Sequence, residues 1–166
     1  MKRFLFLAGC FFSTIAAANT WNLLAVSENN ETYYYDSDSV VRTGNKVRAW
    51  VALVHTSQNQ IIKEPAVNLA LALWEIDTNN KAFRFLQLNL YNGAHLVKIE
   101  HGPSKWSYIT PSDPTKVGSI IFDYVTHKRK AELSIATDNL DTLIAHALVY
   151  SDFIKMAQKE SSKNPK

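Results

Sequence analysis

Cysteine is almost missing from this chain: Cys10 is the sole one among 166 residues. That excludes an internal disulfide and a cysteine-based zinc site. Glycine and proline are sparse as well, five of each, which excludes a collagen-like or Pro/Gly-rich low-complexity chain. No charge of one sign dominates. The formal net charge is +3, and the one dense basic run, Lys128-Arg129-Lys130, is short and lacks interleaved aromatics, so no nucleic-acid surface is indicated. No apolar run reaches the roughly 20 residues of a stable membrane span. G-x-S-x-G and P-loop motifs are absent. His55, His95, His101, His127 and His146 include no pair at H-x-x-x-H spacing. No catalytic residue, metal-ligand set or cofactor is therefore indicated, and a non-enzymatic role is expected.

What is present begins with a secretion signal. Lys2 and Arg3 precede the apolar stretch Phe4 to Ile15, and Ala16-Ala17-Ala18 supplies the small residues of a cleavage site. Cleavage after Ala18 removes Cys10 together with Lys2 and Arg3, and lowers the formal charge from +3 to +1. Leu7-Ala8-Gly9-Cys10 offers the alternative of lipidation at Cys10. Against it, Phe4 to Gly9 is a short apolar region, and Phe11, Phe12 and Ile15 stand where a polar tether is usual. The mature protein is expected to begin at or near Asn19 without lipid, in the periplasm or on the outer cell surface. Intact mass showing a diacylated Cys10 would reverse this expectation.

From Trp21 to Ile109 the pattern is one of strands and turns. Trp21 to Ser27 opens it, followed by Thr32 to Tyr35. Val40 to Arg42 and Val47 to His55 flank Thr43-Gly44-Asn45-Lys46, which suits a tight hairpin. In the second strand of that hairpin Val47, Ala49, Val51 and Leu53 share a face, opposite Arg48, Trp50 and Ala52. Ser57 to Pro65 is expected to be a loop. Leu69 to Ile76 is apolar on both faces, as in a central strand. Ala82 to Tyr91 alternates, with Leu86, Leu88 and Leu90 on one side and Gln87, Asn89 and Tyr91 on the other. Ala94 to Glu100 and Trp106 to Ile109 follow.

The period then lengthens. Asp113 and Pro114 suit a helix start, and Val117, Ile120, Ile121, Tyr124 and Val125 form one helical face. After Lys128-Arg129-Lys130, a charged linker, a second helix capped by Thr137 or Asp138 carries Leu140, Leu143, Ile144, Ala147, Leu148 and Ile154. The tail from Ser161 is polar and expected to be disordered. Strands first and helices last give an α+β class. The expectation is an antiparallel sheet of about six strands with C-terminal helices on one face. Residues 1–18 are assigned to the signal, 19–127 to the α+β domain and 128–166 to a helical extension with its tail.

Asp36 and Asp38 are adjacent carboxylates, read as turn formers around Ser37. Tyr33-Tyr34-Tyr35 is the other conspicuous group. Alternation sends Tyr33 and Tyr35 to one face and Tyr34 to the other. A core role and a recognition role both remain open. In the recognition role Tyr33 and Tyr35 join Trp50, Tyr91 and Trp106 as a binding surface. On the last helix Leu140, Leu143, Ile144 and Leu148 cover either the protein's own sheet, the favoured reading, or a partner.

The order of these features resembles the surface-adhesin protein E family. The matching pieces are the opening Trp21, Thr32-Tyr33-Tyr34-Tyr35-Asp36, Ser39-Val40-Val41 with Thr43-Gly44-Asn45-Lys46-Val47-Arg48-Ala49-Trp50, Trp74-Glu75-Ile76-Asp77, Phe83-Arg84-Phe85-Leu86, and Trp106-Ser107-Tyr108-Ile109-Thr110-Pro111 before a helix. The resemblance implies a curved antiparallel sheet against a C-terminal helix, export, and binding of a protein partner, either a host matrix protein or an envelope component. A homodimer stays open. The alternative function is an accessory subunit of a secretion or pilus assembly, docked through the last helix. The chain departs from the resemblance where the family carries a helix-to-sheet cysteine pair. Thr78 and Tyr124 occupy those places, so Ile120, Ile121 and Tyr124 must hold the helix by apolar contact. The segment from Lys128 to Lys166 lies beyond the family pattern.

Overall fold

A computed structural model describes residues 18–27, 31–55, 67–109, 116–127, 129 and 131–163. Residues 1–17 of the expected signal, with Cys10, the expected loop from Ser57 to Pro65 and the helix-start pair Asp113 and Pro114 lie outside the described residues. Among the described residues nine strands and two helices follow in order: β1 Thr20–Val26, β2 Glu31–Asp36, β3 Val41–Thr43, β4 Lys46–His55, β5 Leu69–Asp77, β6 Ala82–Asn92, β7 His95–His101, β8 Ser107–Tyr108, α1 Val117–His127, β9 Ser134–Ala136 and α2 Leu140–Lys163. The class is α+β, as expected. The strands form one open antiparallel sheet in the order β7-β6-β5-β4-β2-β1-β9. β3 pairs with β4 and β8 pairs with β6.

The β3–β4 hairpin turns where the residues allow it. Gly44 sits at φ +58, a left-handed conformation that favours glycine. β9 is a strand the sequence pattern did not show. It pairs Thr20 with Ala136 and Trp21 with Ile135, in a stretch too short and too mixed to display a period.

Two helices on one face were expected, and the structure corrects this: α1 and α2 cover opposite faces. Ile121 and Val125 of α1 pack with Tyr35, Val47, Ala49, Trp74 and Ile76. Leu143, Ile144 and Ala147 of α2 pack with Trp21, Leu23, Tyr34, Ala52, Val54 and Leu69. The reason lies in the central strands. Tyr34 and Tyr35 are neighbours on β2 and both are fully buried, so the sheet is apolar on both sides and each side needs a cover. Tyr124 meets Tyr35 edge-on, ring centroids 6.4 Å apart, and so contributes to the α1 contact where the resemblance implies a cysteine.

α2 departs from expectation at both ends. Its cap is Asn139, whose Oδ1 accepts from the backbone N–H groups of Asp141 and Thr142; Thr137 instead accepts from the N–H of Asn139. The helix also continues through Lys163 rather than ending before Ser161. Its inner side is tied to the sheet by Tyr34, whose hydroxyl lies 2.9 Å from His146 Nδ1.

Candidate functional site

α1 has only 11 residues, about 16 Å of rod, and cannot roof its whole face of the sheet. Beside it lies an apolar groove of about 490 Å³. Ala70 and Ala72 of β5 make a low floor between Val51 and Leu53 of β4 and Leu88 and Leu90 of β6. Trp74, Phe83 and Phe85 form an aromatic wall. Trp74 stacks on Phe83 at 4.3 Å and meets Phe85 edge-on at 5.1 Å. Val117 and Gly118 close the helix side, while Tyr33 and Glu100 supply the polar atoms.

The groove depends on a β-bulge. Along β5 and β6 Leu73 pairs with Gln87, but the next residue, Trp74, pairs with Phe85. Leu86 is the extra residue, and it resets the alternation. Phe83 and Phe85 therefore share a side with Leu88 and Leu90. Strict alternation would have put them on opposite sides. The turn after β7 fastens the bulge: Gly102 N–H donates to the Leu86 carbonyl at 2.8 Å and Ser104 N–H to that of Phe85 at 2.9 Å. A Cβ on Gly102 would stand 2.5 Å from the Phe85 carbonyl oxygen, so this close approach requires glycine.

The five candidate binding residues are not brought together. Tyr33 lines the groove. Tyr35 lies on the same face but is fully buried under α1, its hydroxyl donating to the Arg129 carbonyl. Trp50 and Tyr91 lie on the opposite face, half-buried against the α2 core. Trp106 is held near β4 and β6, with Lys46 Nζ 4.4 Å and Arg84 Cζ 4.5 Å from its ring. On α2, Leu143 and Ile144 are buried on the protein's own sheet with Leu140 half-buried beside them, and only Leu148 is exposed. The groove residues Trp74, Phe83 and Phe85 were not read as site candidates, because the bulge that gathers them leaves no mark in a local period.

The opposite face carries charge beyond the reach of α2. Arg48, Glu75 and Arg84 sit side by side on β4, β5 and β6. Arg48 Nε donates to Glu75 Oε2 at 2.8 Å and Arg84 Nε to Oε1 at 2.9 Å. Burial pushes the Glu75 carboxyl up, but the two guanidinium groups outweigh it and hold its pKa below the usual range. Lys46 pairs with Asp77 beside them. This network is internally paired and reads as a structural clamp. On the groove side, burial and then the bond to Glu31 raise the Tyr33 pKa, so its hydroxyl stays protonated and donates. Among the described residues no three of His, Cys, Asp or Glu gather to hold a metal, and no helix is long and apolar enough to cross a membrane.

No curated protein was found to match the chain. Residues 21–125 match the family described as surface-adhesin protein E. That span is more than half of the chain, begins in β1, ends within α1 and includes all the described residues that line the groove. By this match, the chain belongs to the surface-adhesin protein E family.

Proposed function

We propose that this is an exported, non-enzymatic binding protein of the periplasm or outer cell surface, which holds an apolar segment of a protein partner in the groove beside α1. The groove is the observation that carries the reading. It is concave, mainly apolar and aromatic, and within the size range of recognition pockets. Family membership supports a binding role, and the partner classes are a host matrix protein or an envelope component.

The test uses the mature chain from Asn19. A partner captured from envelope extract and then purified, and isolated extracellular-matrix proteins, are titrated against wild type, Leu88→Arg and Leu53→Arg. Both leucines are half-buried in the groove, so a charge there should weaken partner binding about tenfold or more while the urea midpoint stays near that of wild type. Wild-type affinity in both variants would sink the groove as the binding site.

A second reading, docking of α2 onto an envelope assembly, is favoured by the outer side of that helix. Val149, Phe153 and Met156 are 72%, 61% and 62% exposed and recur at i, i+4 and i+7. Partner binding that survives Leu88→Arg and fails in Phe153→Asp would select this reading.

A further inference from the structure

We propose that β7 pairs antiparallel with β7 of a second copy, centred on Ile99, so that two chains share one sheet and their grooves open on the same face. The pairing stands apart from the groove reading; only its effect on partner binding rests on that reading.

β7 is the last strand on its side of the sheet among the described residues, and all seven of its residues are exposed. Leu96, Val97 and Ile99 are 41%, 46% and 42% exposed. The chain after β7 turns back onto β6, where the N–H groups of Gly102 and Ser104 bond to Leu86 and Phe85, and β8 then pairs with the start of β6. A long edge strand of this kind presents backbone N–H and C=O groups that another strand can take up. Edges are usually guarded by charge or by a bulge, and β7 has one of each. Leu90 pairs with Lys98 and Tyr91 with Leu96, so Val97 is the extra residue of a bulge, and the regular stretch runs from Lys98 to His101.

Charge selects the occupant and the register. Lys98 and Glu100 lie opposite Leu90 and Leu88, on the groove side, and form an ion pair at 2.8 Å. Ile99, opposite Asn89, points to the other side. Two copies related by a two-fold axis perpendicular to the sheet run antiparallel, and the residue on the axis faces itself. Centred on Lys98 or on Glu100, the contact would set like charges directly opposite each other, which is destabilising. Centred on Ile99, it sets Lys98 against Glu100 of the second copy, and Glu100 against that copy's Lys98. The four charges then alternate in sign on the groove side, and two exposed isoleucines meet on the other. The lysine that guards the edge against other strands thus favours a second copy of the same strand. Directly opposed side chains share a face, so both grooves open on one side. Each then has Lys98 of the other copy beside its own Glu100, which lines the groove. The contact is short, so the dimer is weak and forms with rising concentration.

Sedimentation equilibrium of the mature chain, from micromolar to millimolar concentration, tests the pairing. Wild type is expected to pass from monomer to dimer. Lys98→Glu or Glu100→Lys turns both cross-strand pairs into like-charge pairs, and each should weaken the dimer about tenfold or more. Mixing the two variants restores an opposite charge at both places, so the mixture should dimerise as wild type does. The double variant Lys98→Glu with Glu100→Lys should do so by itself, while Ile99→Glu sets like charges on the axis and should stay monomeric. All three positions are exposed, so the urea midpoints should remain near that of wild type. If a single reversal does not fold, the other two variants decide: a dimeric double variant with a monomeric Ile99→Glu supports the pairing, and the reverse overturns it. A wild type that stays monomeric at millimolar concentration overturns the proposal. So does a dimer that either reversal leaves intact, or that mixing does not restore. Leu53→Arg, on β4, should keep the dimer while weakening partner binding, so the pairing and the groove reading fail separately.

Discussion

Truncation after Lys130 is expected to abolish cooperative folding and yield a chain that aggregates. The cut removes β9, which pairs with β1 and whose flanks add two backbone bonds, Leu23 N–H to the Leu133 carbonyl and Thr137 N–H to that of Asn19. It also removes α2 and uncovers Trp21, Leu23, Tyr34 and Leu69. Burial of a leucine or isoleucine side chain contributes about 1.5–3 kcal/mol. Leu143 and Ile144 alone therefore account for about 3–6 kcal/mol, against a total stability of about 5–15 kcal/mol for an ordinary domain. The Tyr34–His146 contact is lost as well. Urea unfolding followed by circular dichroism, with size-exclusion chromatography, reads the outcome. A truncated chain that stays monomeric with the wild-type midpoint would mean that α2 does not cover the sheet. Although this segment lies outside residues 21–125 of the family match, it supplies a strand of the same sheet and the helix that covers the apolar part of one face.

Ile121→Ala is expected to cost about 2–5 kcal/mol, the range for a large-to-small change in a core. Ile121 is fully buried and packs in the cluster of Tyr35, Val47, Ala49 and Ile76. The floor beneath it is β-sheet on three strands, which cannot collapse into the space vacated, so a cavity term adds to the lost burial. Thr78 and Tyr124 stand where the resemblance implies a cysteine pair, so no disulfide tethers α1 there. Ile121→Val, one methyl smaller, should cost only about 0.5–1.5 kcal/mol. A loss below about 0.5 kcal/mol for Ile121→Ala in urea unfolding would mean that α1 is held by something other than this face. Because α1 also forms a wall of the groove through Val117 and Gly118, a loosened α1 should weaken partner binding as well.

Some features were legible because they depend on near neighbours. The β3–β4 hairpin follows from Gly44-Asn45 between apolar runs. The two faces of β4 follow from strict alternation, and Val47, Ala49 and Val51 do pack together, with Ala52 and Val54 on the other side. The amphipathic stripe of α1 likewise put Ile121 and Val125 in the core. The aromatic candidates fared differently. Tyr33 reached the groove, but Tyr35, Trp50 and Tyr91 went to places set by their strand partners, and Trp106 lies against Lys46 and Arg84.

By itself, then, the sequence determined the class of the fold, the order of most of its elements, and which side of β4 and α1 is apolar. Backbone sterics and side-chain periodicity act over a few residues, and a few residues suffice to reveal them. Only the tertiary structure decided which helix covers which face, that Ser134–Ala136 joins the sheet, and that Phe83, Phe85, Leu88 and Leu90 look into one groove. Each of these depends on pairing between distant segments. A single extra residue at Leu86 inverts the side on which everything after it lies, and it becomes visible only when β6 is laid against β5.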